Sequence, residues 1–246
     1  MLNTRGPKQR RRLLLANVVK SQILYAAPIW SNAAQCPSYF RGVNSTYRLC
    51  ALRVRSAFRT VSDEAAFVIG SMIPVDILAR ESTVLASTRR TLTQLDRHQA
   101  RQSSVTEWQN RWNSTTKGRW TYRCIPNLVS WLNRTHGEVD FYLSQFLSGH
   151  GCFKAYLFKF KHEHDPYCDF CLSGVEEDVH HVFFECPRFH RQMNQLKLAV
   201  GGVFTPQSVV DYMVKGTSEW ASTSDTLTSI LKELRDLERQ RRISRA

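Results

Sequence analysis

Apolar positions recur at helical spacing from the start of the chain. Between residues 8 and 33, Leu13, Leu14, Val18, Val19, Ile23, Leu24 and Ala27 fall three or four residues apart, the period of an amphipathic helix. Pro28 has no N–H to donate and is expected to kink or end that helix. Residues 39–58 repeat the pattern with Phe40, Val43, Tyr47, Leu52 and Val54, predicting a second helix. Ser62, followed by Asp63 and Glu64, reads as an N-cap with acids in the first turn, and Gly70 as the matching stop. Pro74 and Asp76 open a Leu-, Arg- and Gln-rich stretch that predicts one long helix over residues 75–112. Shorter helices are expected at 127–135 and 139–148, the latter closed by "SGHG". Residues 191–246 predict one or two helices and a fraying basic tail, "RQRRISRA". The fold class expected is mainly α, in four parts: 1–105, 106–160, 161–195 and 196–246. There is no internal repeat and no low-complexity segment.

Charge adds a direction to this picture. The formal net charge of the 246 residues is +13, which points to a polyanionic partner, nucleic acid or an acidic membrane surface. Its placement is more telling than its total. Residues 1–60 hold eleven Lys and Arg and no Asp or Glu; the first acid is Asp63. A solvated helix face is the plain alternative, but sixty residues without one acid favour contact with phosphates, led by Arg10, Arg11, Arg12 and Lys20. The run Ser21–Phe40 carries Ser, Gln, Asn and two prolines and is too polar for a membrane span, so no membrane partner is expected. Arg10–Arg12 before Leu13–Val19 resembles a secretory leader only superficially, because Lys20 interrupts it. The chain is therefore expected in the nucleus or cytoplasm.

Residues 106–160 are dense in aromatics with interleaved Lys and Arg. Rings for stacking and cations for phosphates are what a single-stranded nucleic-acid platform needs, and Arg119, Trp120 and Arg123 are its best candidates. Any single ring is more simply a core residue.

The chemistry-bearing stretch is "YCDFCLSGVEEDVHHVFFECP", residues 167–187. Cys168-x2-Cys171 places two thiolates on one tight turn. His181 and Cys186 follow in a C-x2-C-x9-H-x4-C pattern. Three thiolates and one imidazole complete a closed, structural Zn²⁺ tetrahedron. His180 is the competing ligand by spacing, and His162, His164 and His190 are weaker ones. Gly174, Glu176, Glu177 and Asp178 read as a solvated loop between the ligand pairs. With a neutral imidazole such a centre carries about −1, so any pull on phosphate would come from Lys159, Lys161 and Arg188. Cys36, Cys50, Cys124 and Cys152 have no partner spacing and are expected as buried small hydrophobes. Seven cysteines, an odd number, argue against a disulfide framework.

Four segments, "LLLANVVKSQILYAAPIW", "LRVRSAFRTVSDEAAFVIGSMIPVDIL", "GRWTYRCIPNLVSWLNRTHGEVDFYLSQFLSGHGCFKAYL" and "CDFC…HHVFFECPRF", together resemble the C-terminal part of the reverse transcriptase polyprotein of arthropod non-LTR (LINE-type) retrotransposons. The resemblance covers roughly residues 10–195, in the same order. It implies a helical, thumb-like bundle that grips a template–primer duplex, an aromatic linker, and a CCHC zinc knuckle whose ligands fall on Cys168, Cys171, His181 and Cys186. The family's spacing favours His181 over His180. The chain departs from the family in one decisive respect: no Asp-Asp pair occurs, so the paired carboxylates that hold two metal ions for phosphoryl transfer are absent. The expectation is a nucleic-acid-binding fragment, a truncated or domesticated remnant or a partial gene, that holds RNA or DNA and does not polymerise alone. A thumb and knuckle working in trans with a separate reverse transcriptase palm, or an inert remnant, are the alternatives.

Overall fold

The computed structural model describes residues 8–87, 93–171 and 174–244. Thirteen α-helices are formed among them, and no strand; Tyr167 and Glu176 make a single isolated antiparallel bridge. The mainly α fold is as the periodicity predicts.

Helix α1 (Gln9–Ile23) ends sooner than Pro28 requires. Ala26 takes a left-handed conformation (φ 52°), and Pro28 sits in the first turn of a new short helix, α2 (Ala27–Trp30), where its missing N–H costs nothing. Helix α3 (Pro37–Val54) packs on α1 and buries Tyr47, Ala51, Leu52 and Val54. Helix α4 (Asp63–Gly70) is buried almost throughout and opens as expected, with Ser62 Oγ accepting from the Ala65 N–H at 3.3 Å. Gly70 is its last helical residue; the left-handed position falls one further on, at Ser71 (φ 54°). Two guanidiniums close that end. Arg55 Nη2 donates to the Gly70 carbonyl (3.1 Å) and Arg134 Nη1 to Ser71 Oγ (3.1 Å), cations at the negative end of the helix.

The single helix expected over 75–112 is instead two, α5 (Val75–Ser87) and α6 (Gln94–Ser114). A capping box restarts the chain. Thr93 Oγ1 accepts from the Asp96 N–H (3.2 Å), while Asp96 Oδ2 accepts from the Thr93 N–H (2.7 Å). Ion pairs of Arg101 with Glu81 and of Arg111 with Asp76 run in opposite senses along the two helices, so they lie antiparallel. Arg111 also reaches Glu64 at 2.8 Å, joining α4, α5 and α6.

The aromatic middle folds as α7 (Arg119–Cys124), α8 (Leu128–Leu132), α9 (Phe141–Ser148) and α10 (Lys154–Lys159). Most of its rings are core. Trp108, Trp112, Trp131, Phe146 and Phe153 are fully buried. Trp112 and Trp131 keep their indole N–H groups satisfied by the Ile125 and Val68 carbonyls, each at 2.8 Å.

Residues 190–243 form three helices rather than one or two: α11 (His190–Val200), α12 (Pro206–Met213) and α13 (Thr217–Ile243). Gly201 (φ 69°) and Gly202 (φ 62°) end the first, a conformation other residues adopt at a cost, and Thr205–Pro206 begins the second. The basic tail does not fray where it is described. α13 stays helical to Ile243, because Arg241 is bound to Glu163 at 2.9 Å and to Asp169 at 3.4 Å. One continuous hydrophobic cluster runs from Ala16 to Leu234.

Candidate metal centre

The centre is assembled from two short local structures. The first is the turn carrying Cys168 and Cys171. Backbone bonds from Cys168 N–H to Val175 O and from Glu177 N–H to Pro166 O, both 2.8 Å, pinch its two arms together. Gly174, left-handed at φ 69°, helps the chain reverse. The second is a single turn of π-helix, His181–Glu185, closed by a 2.7 Å bond from the Cys186 N–H to the His181 carbonyl. Asp178 Oδ1 caps it by accepting from the His181 N–H at 2.8 Å. The wide turn sets His181 and Cys186 side by side. Val182, Phe183 and Phe189, all buried, pin it to the core.

The four side chains converge. One ligand atom from each of Cys168, Cys171, His181 and Cys186 lies within 4.8 Å of the others. Cys171 Sγ is 3.7 Å from Cys186 Sγ and 3.3 Å from His181 Nε2, and Cys168 Sγ is 3.9 Å from Cys186 Sγ. Ligands at the usual Zn–S and Zn–N bond lengths stand about 3.6–3.8 Å apart at the corners of a tetrahedron, so this spacing suits one small ion. Cys168, His181 and Cys186 are buried. Burial, with the neighbouring thiols adding to it, pushes Cys186 up to about 12 and raises Cys171 also. Packed thiols resist ionising beside one another, and a bound cation reverses that preference.

The structure separates the two adjacent histidines. His181 points Nε2 into the cluster, and its Nδ1 lies 3.4 Å from Glu185 Oε2, where a carboxylate can orient a ligating imidazole. His180 shares that carboxylate, its Nδ1 3.1 Å from Glu185 Oε1, but its ring lies outside the cluster, stacked on Phe184 (5.5 Å between centroids) and against the edge of Trp120 (6.1 Å). His162, His164 and His190 take no part in any metal-competent cluster among the described residues.

The loop acids are not uniformly solvated, as the sequence suggests. Glu176 is exposed, but Glu177 is 2% exposed, accepts from the Lys154 N–H at 3.3 Å, and has its carboxyl raised by burial. Asp178 is the cap already described. Beside them lies a charge network not visible in sequence spacing. Lys154, itself 2% exposed, pairs with Asp165 (2.9 Å) and Asp169 (2.6 Å). Arg241 of α13 reaches Glu163 and Asp169 from the other side, and Arg188 reaches Glu233 at 3.1 Å. These partners are up to 78 residues apart, so only the capping Asp178, three residues before His181, could have been read from the local pattern. Of the four unpaired cysteines, Cys124 and Cys152 are buried as expected, while Cys36 and Cys50 are only partly covered.

The candidate nucleic-acid residues fall in two places. Arg10 and Arg11 are exposed on α1; Arg10 lies 3.9 Å from Glu138, itself exposed. Arg12 turns inward, donating to Ser56 Oγ and to the Arg53 carbonyl (3.1 Å). Lys20 is half-buried, its pKa lowered by burial and by the charge of Arg101. Arg48 and Arg55 are also committed to carbonyls, whereas Lys8, Arg41, Arg53 and Arg59 are exposed. Arg119, Trp120 and Arg123 share α7. Arg119 lies 3.8 Å over the Tyr122 ring and Arg123 5.2 Å over Trp120. The Trp120 ring is half-buried against Phe146, His180 and Phe184, and its N–H donates to the Phe146 carbonyl at 2.6 Å.

A mainly helical protein with a Cys3His cluster able to hold a metal ion is thus the class that the fold and site define. Over 202 residues (73% of the chain) it is 26% identical to the "Putative 115 kDa protein in type-1 retrotransposable element R1DM" of Drosophila melanogaster. It is 25% identical over 195 residues to the "Retrovirus-related Pol polyprotein from type-1 retrotransposable element R1" of Bradysia coprophila. It is 30% identical over 154 residues (53% of the chain, 38% of that protein) to the corresponding "R1 3" polyprotein of Nasonia vitripennis. The chain spans 19% of the length of each of the first two. No family model and no solved structure matches it. The chain is a relative of arthropod non-LTR retrotransposon proteins of the type-1 group, as the four quoted segments suggest. Among the described residues no single helix is long and apolar enough to cross a membrane; Gln9–Ile23 and Ala27–Ala33, bent by 57°, pass that test only as a pair.

Proposed function

We propose that the chain is a nucleic-acid-binding piece of a non-LTR retrotransposon protein, that its Cys3His cluster holds a structural Zn²⁺, and that it does not polymerise alone. The arginine-bearing surface of α1 and α3 carries this reading: Arg11, Arg41 and Arg53 are exposed in a stretch of sixty residues without one carboxylate, while Arg10 beside them stands 3.9 Å from Glu138. Phosphates of RNA or DNA suit such a surface. Zinc is supported by the donor set, three sulfurs and one imidazole nitrogen at tetrahedral spacing, which leaves no position for substrate. Its role is then to hold the turn and the π-helix together, and Cys168, Cys171, His181 and Cys186 would hold it. Trp120 joins this account through its packing against the π-turn as much as through its neighbours Arg119 and Arg123.

Binding of a labelled single-stranded oligonucleotide and of a duplex to the folded, metal-loaded chain at low salt tests the reading directly. Binding that weakens steeply with salt supports it, and absence of binding overturns it. A primer-extension assay with Mg²⁺ on the same sample should give nothing above background. Extension that survives repurification would contradict the non-catalytic part alone.

A further inference from the structure

Asp169 lies inside the metal turn, between Cys168 and Cys171, and is held by two other helices. Its Oδ1 accepts from Lys154 Nζ of α10 at 2.6 Å, and its Oδ2 from Arg241 Nη1 of α13 at 3.4 Å. Arg241 Nε also donates to Glu163 Oε1 at 2.9 Å, on the loop that leads into Cys168. The end of α13 has little else to hold it. Leu234 is its last buried apolar residue, and Arg235 still donates to the Tyr142 hydroxyl at 3.2 Å. Over residues 236–243, Leu237 is only half-buried and Ile243 is 76% exposed. Among the described residues, the bonds and ion pairs that tie this stretch to other elements are those of Arg241; Arg239 pairs within the helix, with Asp236 at 3.3 Å. Roughly two turns of helix without a buried apolar anchor are marginal in water, where isolated helices below about 12–15 residues scarcely form. Their helicity therefore depends on the two carboxylates that Arg241 meets.

Resting on the metal reading above, we infer that occupancy of the Cys3His centre controls the end of α13, with Asp169 as the link. A bound ion fixes Cys168 and Cys171 to one point, and so fixes Asp169 where Lys154 and Arg241 meet it. Without the ion the turn keeps two backbone bonds, Cys168 N–H to Val175 O and Glu177 N–H to Pro166 O, but the residues between them lose their tether. Asp169, its side chain 55% exposed, is then served by water about as well as by the cations. Arg241 keeps Glu163 alone, and the helix beyond Asp236 loosens. Coupling of this kind is reciprocal: what the metal contributes to docking α13, docking contributes to metal affinity. The link stands independently of the nucleic-acid reading.

The test uses the full chain, first assayed for zinc, and follows amide hydrogen exchange with the metal bound and after its removal by a chelator. Removal should speed exchange at residues 236–243 about tenfold or more and leave 220–234 within about twofold, because buried side chains anchor the second stretch. Asp169→Asn keeps all four ligands and should make exchange at 236–243 indifferent to zinc. By reciprocity, Arg241→Gln should weaken zinc binding about fivefold or more in competition with a chromophoric chelator. Arg242→Gln, one residue on and exposed, should leave it unchanged. A chain that takes up no zinc overturns the metal reading, and the link with it. A chain that binds zinc, but whose α13 end exchanges alike with and without it or whose zinc affinity survives Arg241→Gln, overturns the link alone. So does exchange that rises throughout α13 on chelation, since that is unfolding of the whole helix and not release of its end.

Discussion

The N-terminal helices and the Cys–His region use positive charge in opposite ways. Around the metal centre three cations are consumed internally, Lys154 by Asp165 and Asp169, Arg241 by Glu163 and Asp169, Arg188 by Glu233, while Lys159 and Lys161 stay exposed. Those pairs tie the knuckle to α10 just before it and to α13, at least 45 residues away along the chain. In α1 and α3 some arginines cap carbonyls, but Arg11, Arg41 and Arg53 are exposed, in a stretch whose sequence holds no acid before Asp63. A count of Lys and Arg would therefore mislead about either region. What decides is whether an acid is within reach: where it is, the cation holds the fold together, and where it is not, the cation is available to a polyanion.

The largest effect expected from this contrast is loss of the metal. Metal analysis of the parent should show about one zinc per chain, and Cys171→Ser should abolish it and destabilise the knuckle. Protease cleavage should then appear within residues 166–186 while α4 to α6 stay protected. Cys50→Ser, outside the cluster, should change neither. A metal-free parent with an equally protected knuckle would contradict the assignment.

Next in size is the clamp. Lys154→Met removes a buried cation from two half-exposed carboxylates, which water can partly resolvate, so about 2 kcal/mol should be lost in urea denaturation. Arg11→Gln, by comparison, should cost under about 0.5 kcal/mol. Equal losses would erase the distinction between the two regions.

A smaller effect comes from the seam between them. His150 Nδ1 lies 2.9 Å from Thr60 Oγ1, which also bonds the Tyr156 hydroxyl at 2.6 Å. Burial, with Lys159 adding to it, pulls His150 down to about 4. The folded state therefore resists protonation that the unfolded chain accepts near pH 6.5, so stability is fully present above that pH and falls as the pH drops from about 6.5 to 4. The imidazole is partly solvated, which limits the loss to about 1 kcal/mol. His150→Gln should flatten that part of the pH–stability curve; an unchanged slope would show that other groups carry it.

Local pattern made much of this legible. The helical class, the Ser62 cap, the "SGHG" stop and the convergence of Cys168, Cys171, His181 and Cys186 all depend on residues close in sequence, where spacing carries the information. Misread features had causes that spacing hides. The restart at Thr93 depends on a reciprocal bond with Asp96 inside an otherwise continuous apolar pattern. Glu177 reads as a loop acid because nothing nearby in sequence shows that α10 supplies it an N–H. The helical tail depends on Arg241 meeting Glu163, a tertiary contact with no local signature. Arg12 and Trp120 look like binding residues by type, and only the fold shows how far each is already engaged, by Ser56 and by the Phe146 carbonyl.

The division of labour between the two basic regions is tested most directly by the salt dependence of oligonucleotide binding in two variants of the folded, zinc-loaded chain. Each phosphate contact adds about 0.7–0.9 to the slope of log K against log salt. Arg11→Gln with Arg41→Gln should lower that slope by about 1.5, whereas Arg188→Gln with Arg241→Gln should leave it unchanged while lowering stability. A slope that falls with the second pair and not with the first would contradict the account.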